Sequence, residues 1–424
     1  MKHNTTVRLA LSAALLTGAS FSDHLVPAAQ AFGLGNIGSL VLNSALEYNA
    51  MNQYLSNIDG PGRDEYMGKL KAENGVYDGE QENQMLGDIM LRLTNTFSET
   101  EPSVVEKPFS YFVNTKESFN AFCAPGHNIS VNKGAFPALN YNEDEMAFVV
   151  AHEMAHGIKK HSIKKQNNII PLKLLKQAIS YNSNTTVYSD KMAALVMNYT
   201  VAKGYTLPNE WEADNFSYDY TVQADYNPGA AAAVWQRMKD TEGDNHISFL
   251  GEVVSPNDHP TNTQRRDNFS KKLTEYSDNT VVVKDGLISV KGQDFLTPTA
   301  VLFVDETVPV QNGVAQVKTI SAAERAYLIA GNIARAYKDP NKKKAAAQTN
   351  LTSKIVWDDE PVSQEAPKVA VADNGTVKVG KYEIVTPNID EPSAEELATR
   401  LNTIYGVAGA APADPFQDLS FMGV

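Results

Sequence analysis

The segment His152-Glu153-Met154-Ala155-His156 carries the residue types and spacing best suited to chemistry in this sequence. Four residues of α-helix turn through about 400°, so two imidazoles at that spacing lie on nearly one face, a turn apart, and can bind one Zn²⁺. Glu153 is turned aside from that face. It is poorly placed as a third ligand but can reach a water beside the ion and act as general base. The pattern alone arises by chance in about one chain in a hundred of this length, so its context decides. The alternative is a surface helix with two incidental histidines. Ala147 to Ala151 are apolar, however, which predicts a buried helix. Two imidazoles and a carboxylate in a core are costly unless they share a metal or hydrogen bonds.

A catalytic zinc site wants three protein ligands and one open position for water. The third is best sought in Glu210-Trp211-Glu212-Ala213-Asp214. Glu210 and Asp214 are one helical turn apart, so Glu210 can bind the metal while Asp214 accepts a hydrogen bond from the far nitrogen of a ligating histidine, His152 being the expected one. Glu212 competes as a ligand but lies about 200° round the helix from Glu210. A solvated acidic helix start is the plainer alternative for this segment. His161 is about 140° from His156 on a continuous helix and reads as a structural, hydrogen-bonding histidine. A purely structural zinc site fits less well, because Glu153 would have no task and such sites use four protein ligands, often cysteines. The sequence has one cysteine, Cys123.

These side chains need helices to hold them. From about Leu40 to Thr96 apolar residues recur at three and four, as in Met85, Ile89, Met90 and Leu93, with turns at Gly60-Pro61-Gly62 and Asp78-Gly79. Ser110 to Val113 reads as extended. Asn120 to Asn132 carries a turn at Pro125-Gly126 and a short strand in which Ile129 and Val131 alternate with polar residues. A helix is expected from about Glu143 to Lys160 with Asn142 as cap. Others are expected from about Asn209 to Ala224, with Pro208 ahead of it, and from Ala230 to Lys239. Beyond Tyr276 the character turns β-rich and a weak repeat appears. Asp285 to Val290 with Phe295 to Pro298 resembles Asn374 to Val379 with Ile384 to Pro387, and each is followed by a helical stretch opening Ser-Ala, at Ser321 and Ser393.

The expected fold class is thus α+β: a mainly helical, zincin-like metallopeptidase domain with a small sheet, followed by two small β-hairpin-plus-helix modules. The expected boundaries are a signal peptide at 1–31, the metallopeptidase domain at 32–275, a first module at 276–338, a linker at 339–368, a second module at 369–405 and a loose tail at 406–424. Lys2 and Arg8 before the apolar run Leu9 to Ala19, then Ala29-Gln30-Ala31, form the layout of a secretory signal cleaved near Ala31. A periplasmic or secreted protein is expected. No later stretch is apolar and long enough to span a membrane. The net charge of −13 argues against nucleic acid as a partner.

With these residues in view, the chain resembles the HtpX and CAAX-prenyl-protease type of zinc metallopeptidase, on its soluble, periplasmic BepA-like branch. The resemblance covers about Asp78 to Leu273 and rests on four segments in matching order. These are Asn120 to Gly126 with Ile129 and Val131; His152 to His161; Glu210 to Asp214 with Tyr226-Asn227-Pro228; and His259-Pro260 with Arg265. It implies one Zn²⁺ per chain held by His152, His156 and Glu210, with Glu153 as base and Asp214 behind a ligand. It further implies His259 near the metal, stabilising the oxyanion or filling the open position in a closed state, and Arg265 ordering that loop or binding a carbonyl. Family members usually have glycine where His127 stands, so substrate approach at that turn is expected to differ.

The implied reaction is hydrolysis of peptide bonds in polypeptide substrates, unfolded or misassembled envelope proteins being the expected class. The strand with Ile129 and Val131 is expected to pair with extended substrate. The C-terminal modules are expected to dock or position a protein partner. The alternative reading is a chaperone or assembly scaffold with a zinc-site fold and little proteolysis.

Overall fold

A computed structural model describes residues 52–164, 207–244, 260–304, 317–338 and 367–406. The expected leader at 1–31, His259, most of the linker and the tail beyond Gly406 lie outside the described residues. In chain order the elements are α1 (Arg63–Asn74), α2 (Glu80–Ser98), α3 (Pro102–Glu106), β1 (Ser110–Asn114), β2 (Ala121–Ala124), β3 (Asn128–Asn132), α4 (Ala135–Ala138), α5 (Glu143–Ile158), α6 (Leu207–Gln223), α7 (Ala230–Glu242) and α8 (Asn262–Tyr276). They continue with β4 (Val281–Lys284), β5 (Leu287–Val290), β6 (Gln293–Leu296), β7 (Val301–Val304), β8 (Val317–Ile320), α9 (Ala322–Ala336), β9 (Val369–Val371), β10 (Val377–Val379), β11 (Tyr382–Val385) and α10 (Ala394–Tyr405). The α+β class is as the sequence predicts. The described residues form two compact units, one from 52–136, 152–164 and 207–216, the other from 137–151, 217–244, 260–304, 317–338 and 367–406.

In the first unit β1 and β3 run parallel and β2 pairs antiparallel with β3, giving the order β1-β3-β2. Leu55, Ile58, Tyr66, Met67 and Leu70 pack on Phe112, Phe122 and Ala124 of this sheet. The turn from β2 to β3 uses left-handed backbone at Gly126 (φ 82°) and His127 (φ 57°). Glycine is required at 126 twice over, by that positive φ and because a Cβ would meet Ile58 O at 2.6 Å; its N–H donates to Asp59 Oδ1 at 3.0 Å. The sheet places β3 at its centre, with one edge on β1 and the other on β2. The expectation that Ile129 and Val131 pair with substrate is therefore corrected. Both backbone edges of β3 are spent on its neighbours, and both side chains are fully buried.

α5 opens with Asn142 Oδ1 accepting from the Glu145 N–H at 3.0 Å, the cap read from the sequence. α6 begins at Leu207, so Pro208 lies inside its first turn, where the missing N–H costs nothing.

The second unit packs α7 against α8 and α9, and Phe148 of α5 meets Phe269 of α8 edge to face, with ring centroids 4.9 Å apart. Among the buried residues here, Arg237 of α7 is paired with Glu324 of α9 and lies 3.5 Å from Glu145 of α5. With its amide oxygen turned to the guanidinium, Asn140 accepts from both terminal nitrogens at 2.8 and 3.1 Å. Burial raises the pKa of both carboxyl groups against the pull of Arg237, and Glu145 raises Glu324 further.

The repeated C-terminal segments each form a three-stranded antiparallel sheet, β4-β5-β6 and β9-β10-β11, and a β7–β8 hairpin precedes α9. Asp285-Gly286 and Lys291-Gly292 turn the first sheet with positive φ at both residues, as two-residue hairpins require. The two repeats pack into one another: α9 lies on β4 and β5 but also on β11, and α10 lies on β9 and β10 but also on β6. Arg325 of α9 pairs with Glu391, which follows β11, and Arg400 of α10 donates to Phe295 O of β6 at 2.7 Å.

Candidate metal centre

The centre begins with a helix that is apolar all round before its first histidine. Every residue from Met146 to Ala151 is buried, so α5 carries His152, Glu153 and His156 into the interior. α6 supplies Glu210 and Asp214, one turn apart and both fully buried. His152 Nε2 lies 3.0 Å from His156 Nε2 and 3.5 Å from Glu210 Oε2, and His156 Nε2 lies 3.8 Å from Glu210 Oε1.

Contacts behind the rings favour one tautomer of each. His152 Nδ1 is 3.0 Å from Asp214 Oδ1, and a carboxylate there can only accept, which favours a proton on Nδ1 and a lone pair on Nε2. His156 Nδ1 is 2.8 Å from His161 Nδ1, and His161 Nε2 is 3.1 Å from Glu212 Oε2. Glu212 makes His161 a donor at Nε2 and hence an acceptor at Nδ1, so His156 donates from Nδ1 and bares Nε2. Burial, opposed by Glu212, lowers the pKa of His161, which favours the neutral ring this chain of bonds needs.

Two imidazole lone pairs and a carboxylate oxygen thus converge. Three donors at about 2.0–2.1 Å from a tetrahedral zinc stand about 3.3 Å apart, close to the 3.0, 3.5 and 3.8 Å found here. The donor set fits the ion. These three are the residues among those described whose atoms group this way.

Glu153 is not one of the three grouped donors. It is buried, and its carboxylate, after burial itself, helps push the Cys123 thiol of β2 well above its usual range. Gly157, next to His156, lets β2 approach: a Cβ there would meet Cys123 Sγ at 2.8 Å and the Phe109 ring at 3.0 Å.

Other sequence expectations are placed differently. Glu212 reaches His161 and not the three-donor group. His161 sits beside His156 because α5 ends at Ile158 and Lys160 takes left-handed backbone (φ 55°), which returns the chain. The continuous-helix geometry used for the sequence does not apply past that break, so the spacing alone could not reveal the contact. His127 is buried, donates from Nδ1 to Lys107 O at 2.7 Å and stacks on Phe109 with centroids 4.4 Å apart. Burial pushes its pKa down to about 4. The ring is spent on closing its own turn, which corrects the expectation that it meets substrate. Arg265 is buried on α8 with its guanidinium 3.6 Å from the centroid of the Trp235 ring.

A His-Glu-x-x-His helix completed by a glutamate from a second helix, beside a small mixed sheet, defines the zincin class of metallopeptidase domain. Residues 80–272 match the model of peptidase family M48, so the chain carries an M48 peptidase domain. It is similar to mitochondrial metalloendopeptidase OMA1 of Schizosaccharomyces pombe, 28% identical over 147 residues, 34% of this chain and 41% of that protein. It is also similar to a putative beta-barrel assembly-enhancing protease of Vibrio cholerae, 25% identical over 186 residues, 42% of this chain and 37% of that protein. The metalloprotease LoiP of Escherichia coli is 23% identical over 184 residues, 43% of this chain and 70% of that protein. The chain spans less than half the length of the first two of these relatives. No helix among the described residues is long and apolar enough to cross a membrane.

Proposed function

We propose that this protein is a zinc-dependent endopeptidase in which His152, His156 and Glu210 hold one Zn²⁺ per chain. The observation that carries this reading is the convergence of His152 Nε2, His156 Nε2 and a Glu210 oxygen, with Asp214 behind His152 and His161 behind His156 at their Nδ1 atoms. When bound, such an ion acidifies water and polarises a scissile carbonyl. Glu153 takes the proton from the attacking water and passes it to the leaving amine, a general base and then general acid role. Asp214 holds the His152 ring in the orientation and tautomer that binding needs. His259, carried by the family resemblance, stabilises the oxyanion or occupies the open position in a closed state, and Arg265 orders that loop or binds a carbonyl.

On β2, Ser162 Oγ donates to Cys123 O at 2.8 Å within a wholly buried strand, so no sheet edge is assigned to substrate. β3 has no edge left, and the far side of β1 is taken where Tyr77 N–H donates to Val113 O at 2.9 Å. The substrate class is unfolded or misassembled envelope protein. Support comes from the signal-like leader in the sequence and from relatives named beta-barrel assembly-enhancing protease. Cleavage of an unfolded protein such as casein, abolished by a chelator and restored by one equivalent of Zn²⁺, tests the proposal. Metal-free protein that cleaves at the untreated rate overturns it.

A further inference from the structure

The two ligand histidines are held from behind by partners of different kinds. His152 meets a fully buried carboxylate directly, Asp214 at 3.0 Å. His156 meets a second imidazole, His161 at 2.8 Å, and that ring ends on Glu212 at 3.1 Å, whose side chain is 48% exposed. Glu212 therefore stands outside the donor group, on the side of α6 turned away from Glu210, yet connects to it through two rings. The same short helix segment supplies a ligand and the ends of both supporting chains: Glu210 to the ion, Asp214 behind His152, Glu212 behind His161.

We propose that Glu212 and His161 are positioning residues that fix the orientation and tautomer of His156 as a metal ligand, an inference that rests on the zinc reading above. An imidazole free to rotate about its Cβ–Cγ bond, or to carry its proton on Nε2, offers the ion no lone pair. Outer partners that remove that freedom contribute about 10–100-fold to metal affinity at sites of this kind. His161 alone does not suffice, because a ring with its proton on Nδ1 would face His156 as a donor and favour the wrong tautomer. The Glu212 carboxylate removes that choice by demanding the His161 proton at Nε2. The left-handed Lys160, with φ 55°, is what brings His161 back against the helix that bears His156.

The test measures the dissociation constant of Zn²⁺ on the full chain by competition with a chromophoric chelator, together with the visible spectrum of the Co²⁺-loaded protein. Glu212 is half exposed, so Glu212→Ala keeps the fold accessible even where His161→Gln does not. Glu212→Ala is expected to weaken Zn²⁺ binding about 10-fold or more and to alter the Co²⁺ ligand-field bands. Glu212→Gln, which keeps an acceptor without the charge, is expected to fall between it and the unaltered protein. His156→Ala is the control for the underlying reading: if that variant binds Zn²⁺ as tightly as the unaltered chain, the metal site itself is wrong. If His156→Ala loses the ion while Glu212→Ala keeps unaltered affinity and spectrum, the zinc reading stands and the positioning role is overturned. A fall in thermal stability of Glu212→Ala with unchanged affinity and spectrum likewise overturns it, since it reports a merely structural contact.

Discussion

The Nε2 atoms of His152 and His156 stand 3.0 Å apart, and each ring has an outer partner at its opposite nitrogen that favours the proton there. Two lone pairs facing one another in a buried space repel, and a cation between them turns that repulsion into attraction. Binding energy at such a site is then folding energy. Chelation is expected to lower the melting temperature, and ion at a thousandfold excess over its dissociation constant to restore about 4 kcal/mol. Scanning calorimetry with and without a chelator checks this. A melting temperature indifferent to Zn²⁺ would remove the argument from geometry.

Glu153 is buried beside the donor group but is not one of its members. Glu153→Gln is therefore expected to retain one equivalent of Zn²⁺ while cleavage falls by about 10²–10⁴-fold. Metal content by atomic absorption, run beside an unfolded-protein cleavage assay, separates the two. Loss of the ion from this variant would count against its role as base.

Asp214 is the direct support of His152 and is itself out of reach of solvent. Its replacement by alanine frees the ring and is expected to weaken Zn²⁺ about 10–100-fold. Chelator competition reads the change. An unaltered dissociation constant would mean that packing alone orients His152.

Gly157 faces the Cys123 thiol and the Phe109 ring across a gap with no room for a methyl group. Helix propensity favours alanine there, but overpacking costs about 1–3 kcal/mol and wins. Gly157→Ala is expected to lower stability to denaturant by that amount. A stabilised variant would show that β2 can withdraw freely from α5.

Burial raises the carboxyl pKa of Glu145 and Glu324 around the single cation Arg237. A folded-state pKa above the unfolded value means that the native state binds more protons. The stabilising contribution is present below the ordinary carboxylate range and is lost as pH rises through the raised values. Glu324→Gln keeps an acceptor for Arg237 and removes one titrating charge, so its stability relative to the unaltered protein is expected to improve steadily from about pH 5 to about pH 9. Denaturant midpoints at intervals across that range test the slope. A difference that stays flat, or that turns against the variant at alkaline pH, contradicts the arrangement.

Much of the fold was legible because it depends on local rules. The apolar run at Ala147 to Ala151, the cap at Asn142 and the recurrence of Met85, Ile89, Met90 and Leu93 announce helices, and all but the half-buried Met85 of that last set lie in the core. The first C-terminal sheet was legible from Asp285-Gly286, since a two-residue turn with positive φ at both positions admits few other residues, and the second from its likeness to the first. How the repeats pack, α9 on β11 and α10 on β6, was not, because a helix of either repeat presents the same kind of apolar face to either sheet.

For the candidate centre the division is as clear. Residue types at fixed helical spacing determine which side chains share a face: His152 with His156, and Glu210 with Asp214. Those pairings follow from 3.6 residues per turn and need no partner. Only the tertiary structure decided what meets across helices and past a helix end. It put β3 in the middle of its sheet, closed His127 onto Phe109, and turned the chain at Lys160 so that His161 stands between His156 and Glu212. Sheet order and the direction of a chain after a left-handed residue depend on contacts distant in sequence, and spacing along the chain holds no record of them.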